Sequence, residues 1–362
     1  MADFIRGMEL CSRFFQEIAR PILEEFYPSL RYTAGLLGYG SDVLGFDDVV
    51  STDHMWGPRF YLFLEEDDFD LKDKIYYTFS ELLPYTYLGY SVNFSEPDPE
   101  DHGVRCASFL SEGKVSPLIF INTLDRFLEE YLGRSNMDDL DYLDWLTLSE
   151  HRLLALVSGK FFLDGIGINQ KLKELSFYPL QVKLYLIASS WSILAEEQAF
   201  VKRCGDCGDE IGSRIICARM VDRLMRLCFL YSDQYAPYSK WFGTAFRYLP
   251  IDKAIGECLS KALSADSVTK REEYLVHAQE LVGKLHNEMR LTTELEIKAV
   301  NYFGRDIKVI FADKLVDAIM NQLKGTSLEQ LPLIGTLSQI GNFGTIADDN
   351  RYLKQSRALY QP

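Results

Sequence analysis

The sequence predicts an α+β protein, in which a small mixed-sheet domain is followed by an α-helical bundle domain. Two observations lead there. Before residue 117, short apolar runs of strand length alternate with amphipathic stretches and with clusters of Gly, Pro and Asp. Beyond it, apolar residues recur at helical spacing and β-branched alternation largely disappears. The expected division is 1–116 for the α/β domain, 117–330 for the helical domain, and 331–362 for a C-terminal loop and tail.

Apolar residues at helical spacing over 4–25 predict an opening helix, kinked at Pro21. The run from Tyr32 to Leu37 has the length of a buried strand and ends in Gly38-Tyr39-Gly40-Ser41. A second strand is expected from about Thr52 through Phe60-Tyr61-Leu62-Phe63-Leu64. A helix fits 71–83 and is stopped by Pro84. Two further strands are expected near 88–94 and 104–110, on either side of the proline-broken loop Glu96-Pro97-Asp98-Pro99-Glu100-Asp101. Helical periodicity then marks 121–132, 149–158, 179–202, 210–231, 238–247, 251–264 and 269–288. Near the end, Ile307–Phe311 and a helix through Lys324 are expected to pack onto the bundle, and 335–349 reads as loop.

Bulk composition narrows the function. Hydrophobic residues make up 47% and charged residues 25%, ordinary globular usage. A formal charge of −15 disfavours nucleic-acid binding, which rests on neutralising phosphates with Lys and Arg. It leaves room for a local cationic pocket around one small phosphate ligand. There is no apolar run of roughly 18 residues and no leader pattern at Met1-Ala2-Asp3-Phe4, so a soluble, cytoplasmic protein is expected. The seven cysteines are scattered, as reduced thiols are. Cys204 and Cys207 form a C-x-x-C, but no second pair stands at zinc-knuckle spacing, and the surrounding Arg203–Asp209 is turn chemistry.

The informative stretch runs from Gly40 to Arg59. A strand ends in Gly40-Ser41, a spacer follows, and Asp53 stands where the next strand is expected to open. Gly40 permits close backbone approach to a phosphate, and Ser41 offers an N–H and a hydroxyl. Asp53 suits Mg²⁺ (or Mn²⁺), a hard cation that takes carboxylate and phosphate oxygens. On these residues the sequence resembles the polymerase-beta-like nucleotidyltransferase superfamily, whose signature is Gly-Ser, a spacer, and two acids one apart on a strand. The run Ser51-Thr52-Asp53-His54-Met55-Trp56-Gly57-Pro58-Arg59 resembles one mostly bacterial, functionally uncharacterised family within it. The likeness continues at Trp191–Glu197, Gly208–Arg214 and Tyr235–Trp241.

One departure stands out. The second acid of the signature falls on Met55, a soft thioether that does not hold Mg²⁺. Asp42, Asp47 or Asp48 in the loop could supply the missing oxygen, with Asp47 taken as the second metal ligand, and Glu196 or Glu197 is another source. The resemblance implies a nucleotide held by Gly40 and Ser41, and Glu197 as catalytic carboxylate. In the helical half, Arg219, Arg223 and Arg226 share one helix face. Arg219 and Arg226 are the phosphate-binding candidates, against the plainer reading of a solvated basic face partly neutralised by Asp222. Lys240, in Tyr238-Ser239-Lys240-Trp241, is similar to the Ser-Lys helix of aminoglycoside adenylyltransferases.

The resemblance therefore implies transfer of a nucleoside monophosphate from an NTP, first of all ATP, to a hydroxyl of a small polar acceptor. The alternatives are a non-catalytic nucleotide binder of the same fold, which Met55 favours, and an interaction protein whose helical half docks a partner. His286-Asn287 reads as a satisfied polar pair rather than a substrate contact.

Overall fold

The computed structural model describes residues 4–361 apart from 53, 102, 136, 342–345, 347 and 348. It divides into two units, Met1–Asp139 with Arg152–Ser176, and Leu140–His151 with Phe177–Pro362.

The first unit is built on a four-stranded sheet. Its strands are β1 (Tyr32–Leu36), β2 (Arg59–Leu64), β5 (Leu118–Asn122) and β6 (Lys160–Asp164), in the order β5-β2-β1-β6. Between them in sequence, β3 (Thr86–Tyr87) and β4 (Tyr90–Ser91) form a separate hairpin. β1 runs antiparallel to β2 and to β6, and β2 runs parallel to β5. Every residue of β1 and β2 is buried, which fits their near-continuous apolar sequence. On one face Phe60, Leu62, Ile119 and Ile121 meet Leu10, Phe14 and Phe15 of the opening helix and Ile75 and Phe79 of α3 (Lys72–Leu82). On the other, Tyr61 stacks on Phe120 at 4.9 Å, and Phe127 of α4 (Leu124–Leu132) closes edge-on at 5.1 Å. Thr123 caps α4, and Gly133 ends it at φ 75°.

The opening helix is α1 (Gly7–Phe14), a π turn over Phe15–Ala19, then α2 (Arg20–Phe26). The distortion sits one turn before Pro21 because a proline cannot donate its N–H and its ring crowds the preceding turn.

Several boundaries differ from the sequence expectation. The second strand starts at Arg59, not near Thr52. The stretch 88–94 contributes only β4 and its turn, and 104–110 makes isolated bridges, Phe94 to Ala107 and Asp98 to Val104. The first unit does not end at 116, because β5 and β6 complete its sheet. Nor is 331–362 a separate tail: it falls in the second unit and carries the helices Leu337–Ile340 and Asn350–Gln355. The reason is common to β5 and β6. Each is a five-residue run whose identity as a strand comes from its partner in space rather than from its own periodicity.

Along the chain the short helices α5 (Tyr142–Thr147), α6 (Glu150–Val157) and α7 (Ile168–Leu172) come next. The second unit then packs α8 (Leu180–Glu197), α9 (Phe200–Asp206), α10 (Glu210–Tyr231), α11 (Ser239–Phe246), α12 (Lys253–Ser264), α13 (Val268–Glu288) and α14 (Asp313–Gln322). α8 is buried nearly all round from Val182 to Trp191, as a central helix must be, and α10 and α14 pack on it. Cys204-Gly205-Asp206-Cys207 closes α9, and a Cβ at Gly205 would lie 2.2 Å from Val268, so this glycine lets α9 pack against α13. No helix among the described residues is long and apolar enough to cross a membrane.

A one-way hydrogen-bond chain crosses this core. Trp191 Nε1 can only donate, and it donates to the Tyr231 hydroxyl at 2.8 Å. At the other end, the Thr292 hydroxyl is committed to a carbonyl and so accepts Nε2–H of His286 at 2.9 Å, and the neutral ring then accepts the Tyr231 O–H at Nδ1, 3.1 Å away. That carbonyl is the one of Thr293, to which the Thr292 hydroxyl donates at 3.0 Å. His286 is fully buried, and burial lowers its pKa to about 4. The unfolded chain therefore binds a proton below about pH 6.5 that the folded chain refuses until about pH 4. Against a His286→Gln variant, the native advantage is expected to shrink by about 3 kcal/mol as pH falls through that window. Denaturant titrations of both proteins at pH 7.0 to 4.0 check this, and a pH-independent difference contradicts it. Asn287 bonds Leu295 through both its amide groups, at 2.8 and 3.1 Å, so the pair is satisfied internally.

Candidate functional site

The segment from Gly38 to Arg59 is organised around two buried carboxylates. Asp42 receives Arg59 Nη2 on both oxygens, at 2.8 and 3.1 Å, and both side chains are about 1% exposed. Arg59, the first residue of β2, also donates to the Tyr39 carbonyl at 3.1 Å, and its guanidinium lies 5.7 Å from the Tyr39 ring centre. Its Nε and Nη1 are buried without a hydrogen-bond partner. Gly40 sits at φ 131°, and a Cβ there would stand 2.2 Å from Asp42 Oδ1 and 2.5 Å from Arg59 Nη2. The ion pair thus accounts for this glycine whether or not a phosphate approaches it. Beneath the pair, burial pushes the Cys11 thiol up to about 12, with Asp42 adding to it, so this cysteine is an inert core residue.

Asp47 is the second anchor. Its Oδ2 accepts the Gly7 backbone N–H at 2.7 Å and Trp56 Nε1 at 3.2 Å, while Arg6 approaches Oδ1 at 3.5 Å. It acts on the first N–H of α1 as an N-terminal acceptor does, so Asp47, expected as a metal ligand, already has internal partners on Oδ2. Gly7, which nothing in the sequence singled out, permits this: a Cβ there would lie 2.5 Å from Asp42 Cβ and 2.8 Å from Trp56 Nε1. Trp56 in turn stacks on Phe4 at 5.7 Å and receives the edge of Tyr90 at 5.2 Å. Asp48 bonds the backbone N–H groups of Val50 and Ser51 at 3.0 and 2.9 Å.

This frame brings the two ends of the motif together. The Ser41 hydroxyl donates to the Ser51 carbonyl at 3.4 Å, so the Gly40-Ser41 turn lies against the residues leading to position 53. Asp53 itself lies outside the described residues. Met55 is not on a strand: it has φ 47°, donates its N–H to the Arg105 carbonyl at 3.1 Å, and its sulfur accepts the Tyr39 hydroxyl at 3.5 Å. His54 Nε2 stands 3.7 Å from Asp101 Oδ2.

In the helical unit the three arginines of α10 part company. Arg219 pairs with Glu197, reaching it through Nη2 and, at 3.4 Å, through Nε, so two of the candidates are brought together. Arg223 donates to the Gln339 carbonyl at 2.5 Å. Arg226 is buried between Asp222 at 3.0 Å and Glu150 at 3.4 Å, with Phe242 facing its guanidinium at 5.1 Å. Arg226, expected as a nucleotide ligand, is thus held in an internal ion-pair cluster. Glu150 completes that cluster by accepting the Ala236 N–H at 3.1 Å, a residue that its own sequence context did not flag. Lys240 is exposed in the first turn of α11, its ammonium 4.9 Å from the Trp241 ring centre. Among the described residues, no group of three His, Cys, Asp or Glu side chains converges to hold a metal ion.

The family of a domain of unknown function, DUF4037, matches residues 145–242. No curated protein matches the chain. Among solved structures, a nucleotidyltransferase-like protein from Exiguobacterium sibiricum 255-15 is similar, at 13% identity and a TM-score of 0.31, over 81% of this chain and 97% of that one.

Proposed function

We propose that this chain transfers a nucleoside monophosphate from an NTP, ATP first among them, to a hydroxyl group of a small polar acceptor. The supporting observation is the contact between the Ser41 hydroxyl and the Ser51 carbonyl, which sets the Gly40-Ser41 turn beside the residues next to Asp53. A phosphate-accepting turn and a lone carboxylate at such spacing is the chemistry that the motif resemblance implies.

In this reading the acceptor oxygen attacks the α-phosphorus, the bond from that phosphorus to the bridging oxygen breaks, and pyrophosphate leaves with the electron pair. Gly40 and Ser41 bind the triphosphate. The motif resemblance gives Lys240 and Arg219 the role of phosphate ligands and Glu197 that of the carboxylate that takes the acceptor proton. Glu197 must first be released by Arg219, and an incoming phosphate competes for that guanidinium. Mg²⁺ or Mn²⁺ enters as the counter-ion of the NTP, needing few protein ligands besides the phosphates, and Asp53 is proposed to supply one. The ion would neutralise charge on the phosphates.

The alternative, a non-catalytic nucleotide binder, is favoured by Met55 and by the internal use of Asp47. Binding is common to both readings and is tested first. With Mg²⁺ and an NTP at a hundredfold its Kd, the native state is expected to gain about 2.7 kcal/mol, seen as a rise of several degrees in melting temperature. Lys240→Met is expected to reduce the rise. A chain unmoved by all four NTPs rules out both readings.

A further inference from the structure

The first unit carries a pocket of about 450 Å³ beside the Gly40–Arg59 segment. Its inner wall is aromatic, made by Phe4, Trp56 and Tyr90, and its rim is formed by Val49, Leu88 and Phe109. The rim side chains are exposed, Val49 at 70%, Leu88 at 37% and Phe109 at 79%. Three large apolar groups held open around one mouth mark a binding site rather than a stray surface residue. Leu88 adds an independent sign. With Gly89 it forms the two-residue turn between β3 and β4, at φ 50° and 89°, a conformation that favours Asn, Asp or Gly. The leucine at this position places an apolar side chain on the rim.

Thr52 also lines the pocket. It follows Ser51, whose carbonyl meets the Ser41 hydroxyl, so the pocket opens one residue away from the contact with the phosphate-binding turn. That separation lies within the length of a single nucleotide. We propose that this pocket takes the nucleobase of the NTP, stacked against its aromatic residues, an inference that rests on the nucleotide reading above. Few side-chain polar groups are left to tell one base from another. The Ser91 hydroxyl already faces the Asn93 and Ser108 carbonyls at 3.0 and 2.8 Å, and the Tyr90 hydroxyl accepts the Ile5 N–H at 3.2 Å. The side-chain donors that remain are the Tyr90 O–H and the Thr52 hydroxyl, whose contact with the Val49 carbonyl is long at 3.5 Å. Stacking area then governs choice, so ATP and GTP bind alike and both more tightly than CTP and UTP.

The test is calorimetric titration of ATP and of inorganic tripolyphosphate, each with Mg²⁺, into wild type, Phe109→Ala and Phe109→Tyr. Phe109 is exposed, so its truncation leaves the core intact. Phe109→Ala is expected to weaken ATP about tenfold, with tripolyphosphate unchanged and ATP restored by Phe109→Tyr. ATP binding unaffected by Phe109→Ala overturns the pocket assignment and leaves the nucleotide reading standing. An equal loss of tripolyphosphate overturns it too, as a general disturbance of the loop. Wild type that binds neither ligand overturns both.

Discussion

Replacing Arg59 by methionine is expected to cost the first unit about 3–5 kcal/mol, the price of leaving a buried carboxylate without its cation. Both partners are about 1% exposed, so solvent does not weaken the pair. Asp42 would keep only its bond from the Val43 N–H at 3.0 Å, in a space already closed by Gly7 and Gly40. The pair is coupled, so the double variant Asp42→Ala with Arg59→Met is expected to recover part of the loss, since neither charge is then stranded. Gly40→Ala belongs to the same set: it forces a Cβ to 2.2 Å from Asp42 Oδ1 at φ 131°. Native-state hydrogen exchange of the β1 and β2 amides reads the first unit without assuming that the whole chain unfolds at once. Protection in Arg59→Met within about 1 kcal/mol of wild type would show that the pair does not hold the segment.

The second large effect is functional. Asp53→Asn keeps the size of the side chain and removes the charge that a hard cation requires, so it is expected to abolish the Mg²⁺-dependent part of NTP stabilisation and to lower transfer at least about a hundredfold. Asp47→Asn separates ligation from scaffolding. Its carboxylate is committed to Gly7 and Trp56, so this variant is expected to lose stability while its response to Mg²⁺ concentration stays that of wild type. The two midpoints for Mg²⁺ in an NTP-binding titration distinguish the roles. A shifted midpoint in Asp47→Asn together with an unshifted one in Asp53→Asn would reverse them.

Much of the framework was legible in the residues. β1, α3 and the long helices α10, α12 and α13 stand within a few residues of their expected places, because each carries its own periodicity and its own stop. β6 was missed because Lys160-Phe161-Phe162-Leu163-Asp164 is a strand only by virtue of pairing with β1. In the candidate site, spacing identified the segment but not how its members divide their work. Helical periodicity put Arg219 and Arg226 on one side of α10, yet it carries no information on depth: Arg219 reaches solvent and Glu197, whereas Arg226 is sealed against Glu150. Likewise Asp47 reads as a loop acid until the start of α1 is seen to offer it an N–H. Gly7 left no mark at all, since its reason is the closeness of Asp42 and Trp56 from a distant part of the chain.

The most direct test of the proposed function is incubation of the chain with α-labelled NTPs, Mg²⁺ or Mn²⁺, and a metabolite extract, followed by mass spectrometry. The account predicts a small polar metabolite heavier by one nucleoside monophosphate, with pyrophosphate released, and no such product from Asp53→Asn. NTP binding by wild type with no nucleotidylated product from any of the four NTPs would contradict it and leave the chain as a nucleotide binder.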